Sequence, residues 1–175
     1  LLNEIAAAYL GTGARVWIID VGRSYEKACR HFGGSFIEFT EDAGFSLNPF
    51  AMVQDIDEDM ELLQPLLAQM VSPREPLNGF QYSTLGAAIK QVWKSIGPAM
   101  TVTDVHDLLA RGRLDDDNTM EDDRRLRDLA AMLHPFTREG AYGRYFDAGT
   151  PIDFSADLIV LELEELKTRK DLQTV

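Results

Sequence analysis

The sequence has little of what several common protein classes need. It holds one cysteine, Cys29, so no internal disulfide can form, and this fits a reducing compartment. Its longest apolar runs, such as VWII and LIVL, are far shorter than the roughly 20 residues that cross a bilayer. The first residues also lack the basic and apolar pattern of a secretion signal. We therefore expect neither secretion nor a membrane-spanning helix, and we expect Cys29 to be buried and unreactive.

Basic residues are scarce as well. The chain has 29 acidic and 17 basic residues, which gives a formal net charge of −12. A surface with this balance keeps a protein soluble and repels the phosphates of a nucleic acid. We therefore expect no direct binding of nucleic acid by this chain.

The sequence contains none of the short motifs that carry metal or nucleophile chemistry. It has no CxxC, HExxH or phosphate-binding loop, and its three histidines are far apart. The acidic run DDDNTMEDD, at 115–123, lacks the glycine and the closing acid of a calcium loop, and it is typical of a solvated helix start. The sequence therefore predicts no metal site and no complete set of catalytic residues.

What the sequence does contain is an α/β pattern interrupted by helices. Residues 1–50 read as helix, strand, helix and strand, with Ser24 expected to cap the second helix. The strand VWIIDV is apolar at nearly every position, as in a parallel strand covered on both faces. Residues 51–140 read as helices only, and residues 141–175 return to a strand, DLIVLEL. We therefore predict three parts, with the first and last forming one sheet.

Two details of the helical part can be checked against a structure. Pro65 interrupts the first helical segment, so it should kink or split that helix. Thr103 is placed to cap the third helix.

The candidate site lies where the first strand ends. Ligands of open parallel sheets gather beyond the carboxyl ends of the strands, and Asp20, Gly22, Arg23 and Ser24 follow there in sequence. Asp20 suits a ribose hydroxyl, a metal-bound water or the orientation of a neighbour. It suits equally well a cap on the next helix or an ion pair with Arg23. The residues alone leave these alternatives open.

Two further pairs of residues belong to the same hypothesis. Asn48 and Pro49, in LNPF, follow the second strand and can fix a loop near that edge, although an ordinary turn has the same pattern. Arg138 and Arg144 lie in a glycine-rich connection, from which an arginine can reach a phosphate on a neighbouring subunit. Surface arginines without that role have the same pattern.

Four segments carry a resemblance to a known family. They are GARVWIIDVGRSYEKACRHFGGSFIEF, LNPF, GAYGRYFDAG and LIVLELEELKTRKDLQTV. Together they resemble the TraC-like conjugative-transfer ATPases of type IV secretion systems, along the whole chain with a variable middle. The resemblance implies an α/β fold, in which a partial RecA-like parallel sheet carries a large all-α insertion.

The same resemblance implies a function and its parts. The intact enzyme would hydrolyse ATP with Mg²⁺ as a homo-hexamer, on the cytoplasmic face of the bacterial inner membrane. With other type IV secretion components it would drive pilus assembly and conjugative DNA transfer. Asp20 would then be a partner of the residues that contact the nucleotide. Glu162, Glu164 and Glu165 would have a structural role.

The chain departs from that family in lacking the GxxGxGK[ST] loop and the Walker B acids. The resemblance places them before Leu1 and after Val175, and both ends of the chain read as cut. We therefore expect a piece of a larger protein that binds no cofactor and is inactive by itself.

Two other functions remain open at the level of sequence. The helical part is a candidate interaction module, which would present Met60, Leu63, Leu67 and Met70 to another secretion component without catalysis. A strand that ends in an acid also occurs in dinucleotide-binding oxidoreductases, where Asp20 would hold the adenosine ribose. The helical insertion and LNPF argue against the latter.

Overall fold

The computed structural model of the chain describes residues 2–40, 44–114, 123–147 and 150–168. These residues form two compact units. The first unit comprises the described residues of 1–43 and 152–173, and the second unit comprises those of 44–151. The three-part division expected at residues 50 and 140 stays a prediction.

The elements follow the predicted order of helix, strand, helix, strand, helical region and strand, with two further short strands that were not predicted. They are α1 (Leu2–Gly11), β1 (Val16–Asp20), α2 (Glu26–His31), β2 (Ser35–Glu38), β3 (Phe45–Ser46), α3 (Ile56–Val71), α4 (Gly79–Ile96), α5 (Val102–Ala110), α6 (Arg124–Leu133), α7 (Gly143–Phe146), β4 (Thr150–Pro151) and β5 (Leu158–Glu162), with 3-10 helices at Gly97–Ala99, His134–Phe136 and Glu164–Thr168. The predicted α/β class with a large helical insertion is confirmed.

The first unit is built on a parallel sheet with the strand order β1-β5-β2. β1 and β2 belong to one strand-helix-strand unit, yet they do not pair with each other, because β5 lies between them and pairs with both. The central place of β5 suits its sequence, since Leu158, Ile159 and Val160 are all buried. A strand in the middle of a parallel sheet buries both of its faces.

β1 differs from its prediction. Trp17 and Ile19 are 54% and 70% exposed, so the strand is not covered on both faces in the described part of the chain. Their neighbours Val16 and Ile18 point to the opposite face and pack against the core. The alternation follows from the pleat, in which successive side chains point to opposite sides of the sheet.

The core of the first unit lies between the sheet and the helices. Cys29, from α2, packs there against Leu158 and Val160, with Val16 and Ile18 beside them. Burial raises the pKa of the Cys29 thiol, since the ionised form loses its hydration. The predicted burial of Cys29 is confirmed.

The second unit is held together by its helices. α3 packs against α4, and α5 packs against both α4 and α6. Apolar side chains at helical spacing fill the interior, each contributing about 1.5–3 kcal/mol by its burial. They include Leu63, Leu67, Met70, Leu85, Ile89, Val105, Leu109, Leu129 and Leu133.

Of the details expected of these described helices, a split at Pro65 and a cap by Thr103 are wrong, while a kink at Pro65 stays a prediction. α3 runs without a break from Ile56 to Val71 with Pro65 inside it. Pro65 lies on the exposed side of α3. The cap of α5 is Thr101 rather than Thr103, because Thr101 forms a capping box with Asp104.

The expected presentation of apolar side chains by α3 is also wrong. Leu63, Leu67 and Met70 are at most 4% exposed, and Met60 is partly buried. Leu63, Leu67 and Met70 belong to the interior of the second unit, so these three are not available to a partner.

Over the ranges that the structure describes, no helix combines the length and the apolar character that a bilayer crossing requires.

Candidate functional site at the carboxyl edge of the sheet

Three acidic residues lie in one row across the end of the sheet. The register pairs Asp20 of β1 with Glu162 of β5, and Glu162 with Glu38 of β2. Neighbouring strands are about 4.8 Å apart, and side chains in one row of a parallel sheet point to the same face. The carboxyl ends of the strands therefore bring three carboxylates together, next to residues 21–25, which we call the edge turn.

Asp20 organises the edge turn from the end of β1. It is 8% exposed. Its Oδ1 accepts a hydrogen bond from the Val21 N–H at 2.9 Å, and its Oδ2 accepts one from the Tyr25 N–H at 3.2 Å. Asp20 thus spans the turn and satisfies an N–H at the start of α2, the role expected of a cap.

The predicted cap of α2 by Ser24 is wrong. The N-cap position is occupied by Tyr25, which makes no side-chain capping bond. An acid at the preceding strand end fulfils the function instead. Of the two structural interpretations of Asp20, the structure confirms the helix cap. The ion pair with Arg23 is not formed, because Arg23 pairs with Glu26 and Glu38 instead.

Glu162 holds the same turn from the neighbouring strand. It is 1% exposed. Its Oε1 accepts hydrogen bonds from the Gly22 N–H at 3.1 Å and the Glu164 N–H at 2.7 Å, and its Oε2 accepts one from the Arg23 N–H at 2.7 Å. The turn has positive φ at Gly22 and at Arg23, 119° and 58°, which aims these N–H groups at Glu162.

The family resemblance implied a structural role for Glu162 but not its contacts. A signal was present: VWIID and LIVLE are both apolar segments that end in an acid. If the two strands are neighbours, their acids meet at one edge. What the sequence did not contain was the pairing itself, which joins residues 140 positions apart.

The two buried carboxylates are stabilised by backbone dipoles. Asp20 and Glu162 together accept five backbone N–H groups, and such charge-assisted bonds are stronger than neutral ones. The N–H groups of Gly22 and Arg23 are therefore committed to Glu162. The edge turn offers a phosphate no free backbone cradle at these two residues, and a ligand there meets side chains.

Arg23 provides the edge turn with a cationic side chain for such a ligand. It is 47% exposed and pairs with Glu26, at 3.4 Å from Nη1 to Oε2, and with Glu38. Glu26 also accepts a hydrogen bond from Arg30 at 2.6 Å. Ion pairs as exposed as these contribute only about 0–1 kcal/mol each.

Asn48 and Pro49 lie in the second unit, after β3. The Asn48 side chain donates to the Met100 carbonyl at 2.9 Å and accepts from the Phe50 N–H at 3.2 Å. The bond with Phe50 fixes a local turn, in line with the simpler of the two sequence interpretations, and the bond with Met100 ties that turn to a segment 52 residues away. Any role of these residues in nucleotide binding stays a prediction.

Arg138 and Arg144 also lie in the second unit. The Arg138 Nε donates to Asp147 Oδ2 at 2.8 Å, while its side chain remains 73% exposed. The Arg144 guanidinium lies over the Tyr145 ring, 5.0 Å from its centroid. Their expected reach to a neighbouring subunit stays a prediction.

Metal ligands do not cluster in the described part of the chain, where no three histidine, cysteine or acidic side chains are placed to hold an ion. The acidic run at 115–123 lies outside the described residues except for Asp123.

Comparisons with known proteins agree with one another. A family model described as the TraG P-loop domain matches residues 1–175. Protein TraC of Escherichia coli K12 is 28% identical over 176 residues, which cover 98% of this chain and 20% of that protein. The solved structure of VirB4 of Thermoanaerobacter pseudethanolicus superposes with a TM-score of 0.72 at 21% identity, over 98% of this chain and 48% of that one. The chain thus spans about a fifth of TraC and about half of the VirB4 chain.

Proposed function

The chain belongs to the TraG P-loop domain family, and from that premise we propose that it works in an ATP-hydrolysing motor of type IV secretion. The resemblance to TraC-like proteins seen in the sequence is confirmed by the family and by the match to TraC. The likeness to VirB4 confirms the fold. The activity itself is our proposal.

The proposal includes the assembly and the setting of the motor. Six copies form a ring at the cytoplasmic face of the bacterial inner membrane, where they work with other secretion components. ATP and Mg²⁺ are the cofactors, and hydrolysis drives pilus assembly and conjugative DNA transfer. The family resemblance supports these features.

One observation of the structure carries the proposal. At the carboxyl ends of the parallel strands, two buried carboxylates fix a turn that holds an arginine at the surface. This is the edge at which open α/β sheets bind their ligands. A guanidinium there suits a phosphate, because it stays charged and offers a planar fork of donors.

The chain supplies only part of an ATP site. Bound Mg²⁺, with a lysine, neutralises the charge that develops on the transferred phosphoryl group. The sequence has no GxxGxGK[ST] loop, and the N–H groups of Gly22 and Arg23 are taken by Glu162. The residues of this chain can hold and orient the edge turn, and the phosphate-binding loop has to come from outside these 175 residues.

The alternatives are less well supported. An oxidoreductase would use Asp20 on a ribose, but both Asp20 oxygens accept backbone N–H groups, and the family is that of a P-loop domain. An interaction module would present the apolar residues of α3, three of which are buried.

The test is ATP hydrolysis by the full-length protein with and without Asp20→Ala. We expect Mg-dependent hydrolysis that falls at least about tenfold in the variant, while ATP binding persists, because the phosphate-binding loop is untouched. Asp157→Ala is the control, since Asp157 is exposed in the same unit. A wild type without hydrolysis, or a folded Asp20→Ala variant with full activity, would refute the proposal.

A further inference from the structure

We propose that Arg23 binds a nucleotide phosphate, that Glu162 positions it, and that Glu26 and Glu38 hold its side chain while no phosphate is present. This inference rests on the proposed ATPase function and assigns roles within that site. It distinguishes the exposed Arg23, which contacts the ligand, from the buried Glu162, which acts through Arg23.

The backbone conformation of Arg23 shows that contacts with neighbouring residues stabilise the turn. Its φ is +58°, a region that residues other than glycine seldom adopt. Glu162 stabilises this conformation by accepting the N–H groups of Gly22 and of Arg23 itself. A glycine at position 23 would adopt the same backbone without strain. The presence of arginine there points to a use of its side chain.

The charges at this edge leave the Arg23 side chain free to exchange partners. Asp20 and Glu162 are already satisfied by backbone N–H groups, so neither buried charge depends on the guanidinium. Arg23 pairs instead with Glu26 and Glu38, whose side chains are 23% and 26% exposed. Carboxylates with that exposure are hydrated again when the arginine leaves.

The exchange of partners by Arg23 also costs little free energy at Glu26 of α2. Glu26 keeps its hydrogen bond with Arg30, at 2.6 Å, after Arg23 turns away. A phosphate offers more negative charge and more acceptor oxygens than either carboxylate. Arg23 therefore prefers a phosphate placed within its reach, whereas Glu162 keeps the turn in place during the exchange.

A purely structural role for Arg23 makes the opposite prediction. In that case the guanidinium would serve to tie α2 to β2 through Glu26 and Glu38, and its removal would lower stability without a specific effect on catalysis. Arg23→Gly separates the two roles, because it relieves the backbone and removes the guanidinium.

The first experiment measures thermal unfolding and ATP hydrolysis of the full-length Arg23→Gly variant. We expect an unchanged or raised Tm together with a loss of at least about tenfold in kcat/KM. Arg23→Lys keeps the charge without the fork and should lie between the two. Lys27→Ala is the control, because Lys27 is an exposed cation of α2, the helix that follows the edge turn, and this variant should hydrolyse ATP as the wild type does.

The second experiment tests whether Glu162 acts through Arg23. Glu162→Gln replaces one acceptor oxygen by an NH2 group that faces an N–H donor of the turn, so we expect a lower Tm and lower activity in the otherwise wild-type protein. In the Arg23→Gly background the same change should lower the Tm again but reduce kcat/KM less than about twofold further. Glu165→Gln, at an exposed neighbouring acid, should change neither quantity.

The outcomes separate this inference from the proposed function. Full hydrolysis by Arg23→Gly would overturn the inference and leave the ATPase function standing. An undiminished effect of Glu162→Gln on kcat/KM in the Arg23→Gly background would overturn the positioning role. A wild-type protein that hydrolyses no ATP would remove the function on which both depend. If Glu162→Gln fails to fold, Glu162→Asp, which keeps the carboxylate but shortens its reach to the edge turn, replaces it in both backgrounds, and the same comparison of kcat/KM decides the positioning role.

Discussion

At the scale of single residues, the candidate site depends on two acidic residues whose carboxylate oxygens already accept hydrogen bonds. Asp20 and Glu162 end adjacent strands and accept backbone N–H groups, whereas Glu38, in the same row, faces Arg23. The sequence identified Asp20 because it follows an apolar run at the end of a strand. It did not reveal which hydrogen bonds Asp20 makes, since these depend on the path of the edge turn.

Asp123 offers a test of the electrostatics at one residue. It caps α6, accepts the Arg125 N–H and pairs with the Arg125 guanidinium at 2.7 Å. The hydrogen bond from the Arg125 side chain, with that from its backbone, lowers the pKa of Asp123 below its ordinary value. Because the folded pKa is the lower one, the stabilisation is present above the ordinary value of about 3.9 and is lost as the pH falls through the folded pKa.

The measurement is urea unfolding of the wild type and of Asp123→Asn between about pH 6 and pH 3. Asparagine keeps a cap but carries no charge, so the difference in stability between the two proteins should shrink as the pH falls. Asp59→Asn, at another acid of the second unit, is the control. A difference that stays constant over this range would contradict the expected pKa.

At the scale of elements, apolar runs predicted the strands and helical spacing predicted the helices. The parallel direction of β1, β2 and β5 followed from their long connections. The place of β5 between β1 and β2 did not follow, because strand pairing is a long-range property that one sequence does not encode locally. Pro65 shows that local rules are limited for helices as well. Such rules predict a break at a proline, yet Pro65 lies inside a continuous α3.

The approach of β2 to β5 gives a prediction at this scale. A Cβ on Gly34 would lie 2.6 Å from the Leu158 carbonyl oxygen and 2.9 Å from the Leu158 Cβ. Gly34→Ala should therefore force the two strands apart locally and lower the free energy of unfolding by about 1–3 kcal/mol.

Chemical unfolding of Gly34→Ala measures this loss, with Gly11→Ala as its matched control. A Cβ on Gly11, at the end of α1, meets nothing within 4 Å, and alanine favours the helix. Equal stability of the two variants would show that β2 and β5 do not approach as closely as described.

At the scale of the whole molecule, we propose that the chain is one part of an ATP site. The acidic composition led us to expect no binding of nucleic acid. The four family segments indicated the RecA-like fold, which the match to VirB4 confirms. The sequence also showed that the phosphate-binding loop is missing from these 175 residues. The structure adds that two N–H groups of the edge turn are committed to Glu162, so the turn does not replace that loop.

Calorimetric titration with Mg-ATP tests this central claim most directly, applied to the 175-residue chain and to the full-length protein under the same conditions. We expect binding heat at micromolar ATP from the full-length protein and none from the 175-residue chain. Micromolar binding by the 175-residue chain, or no binding by the full-length protein, would contradict the account.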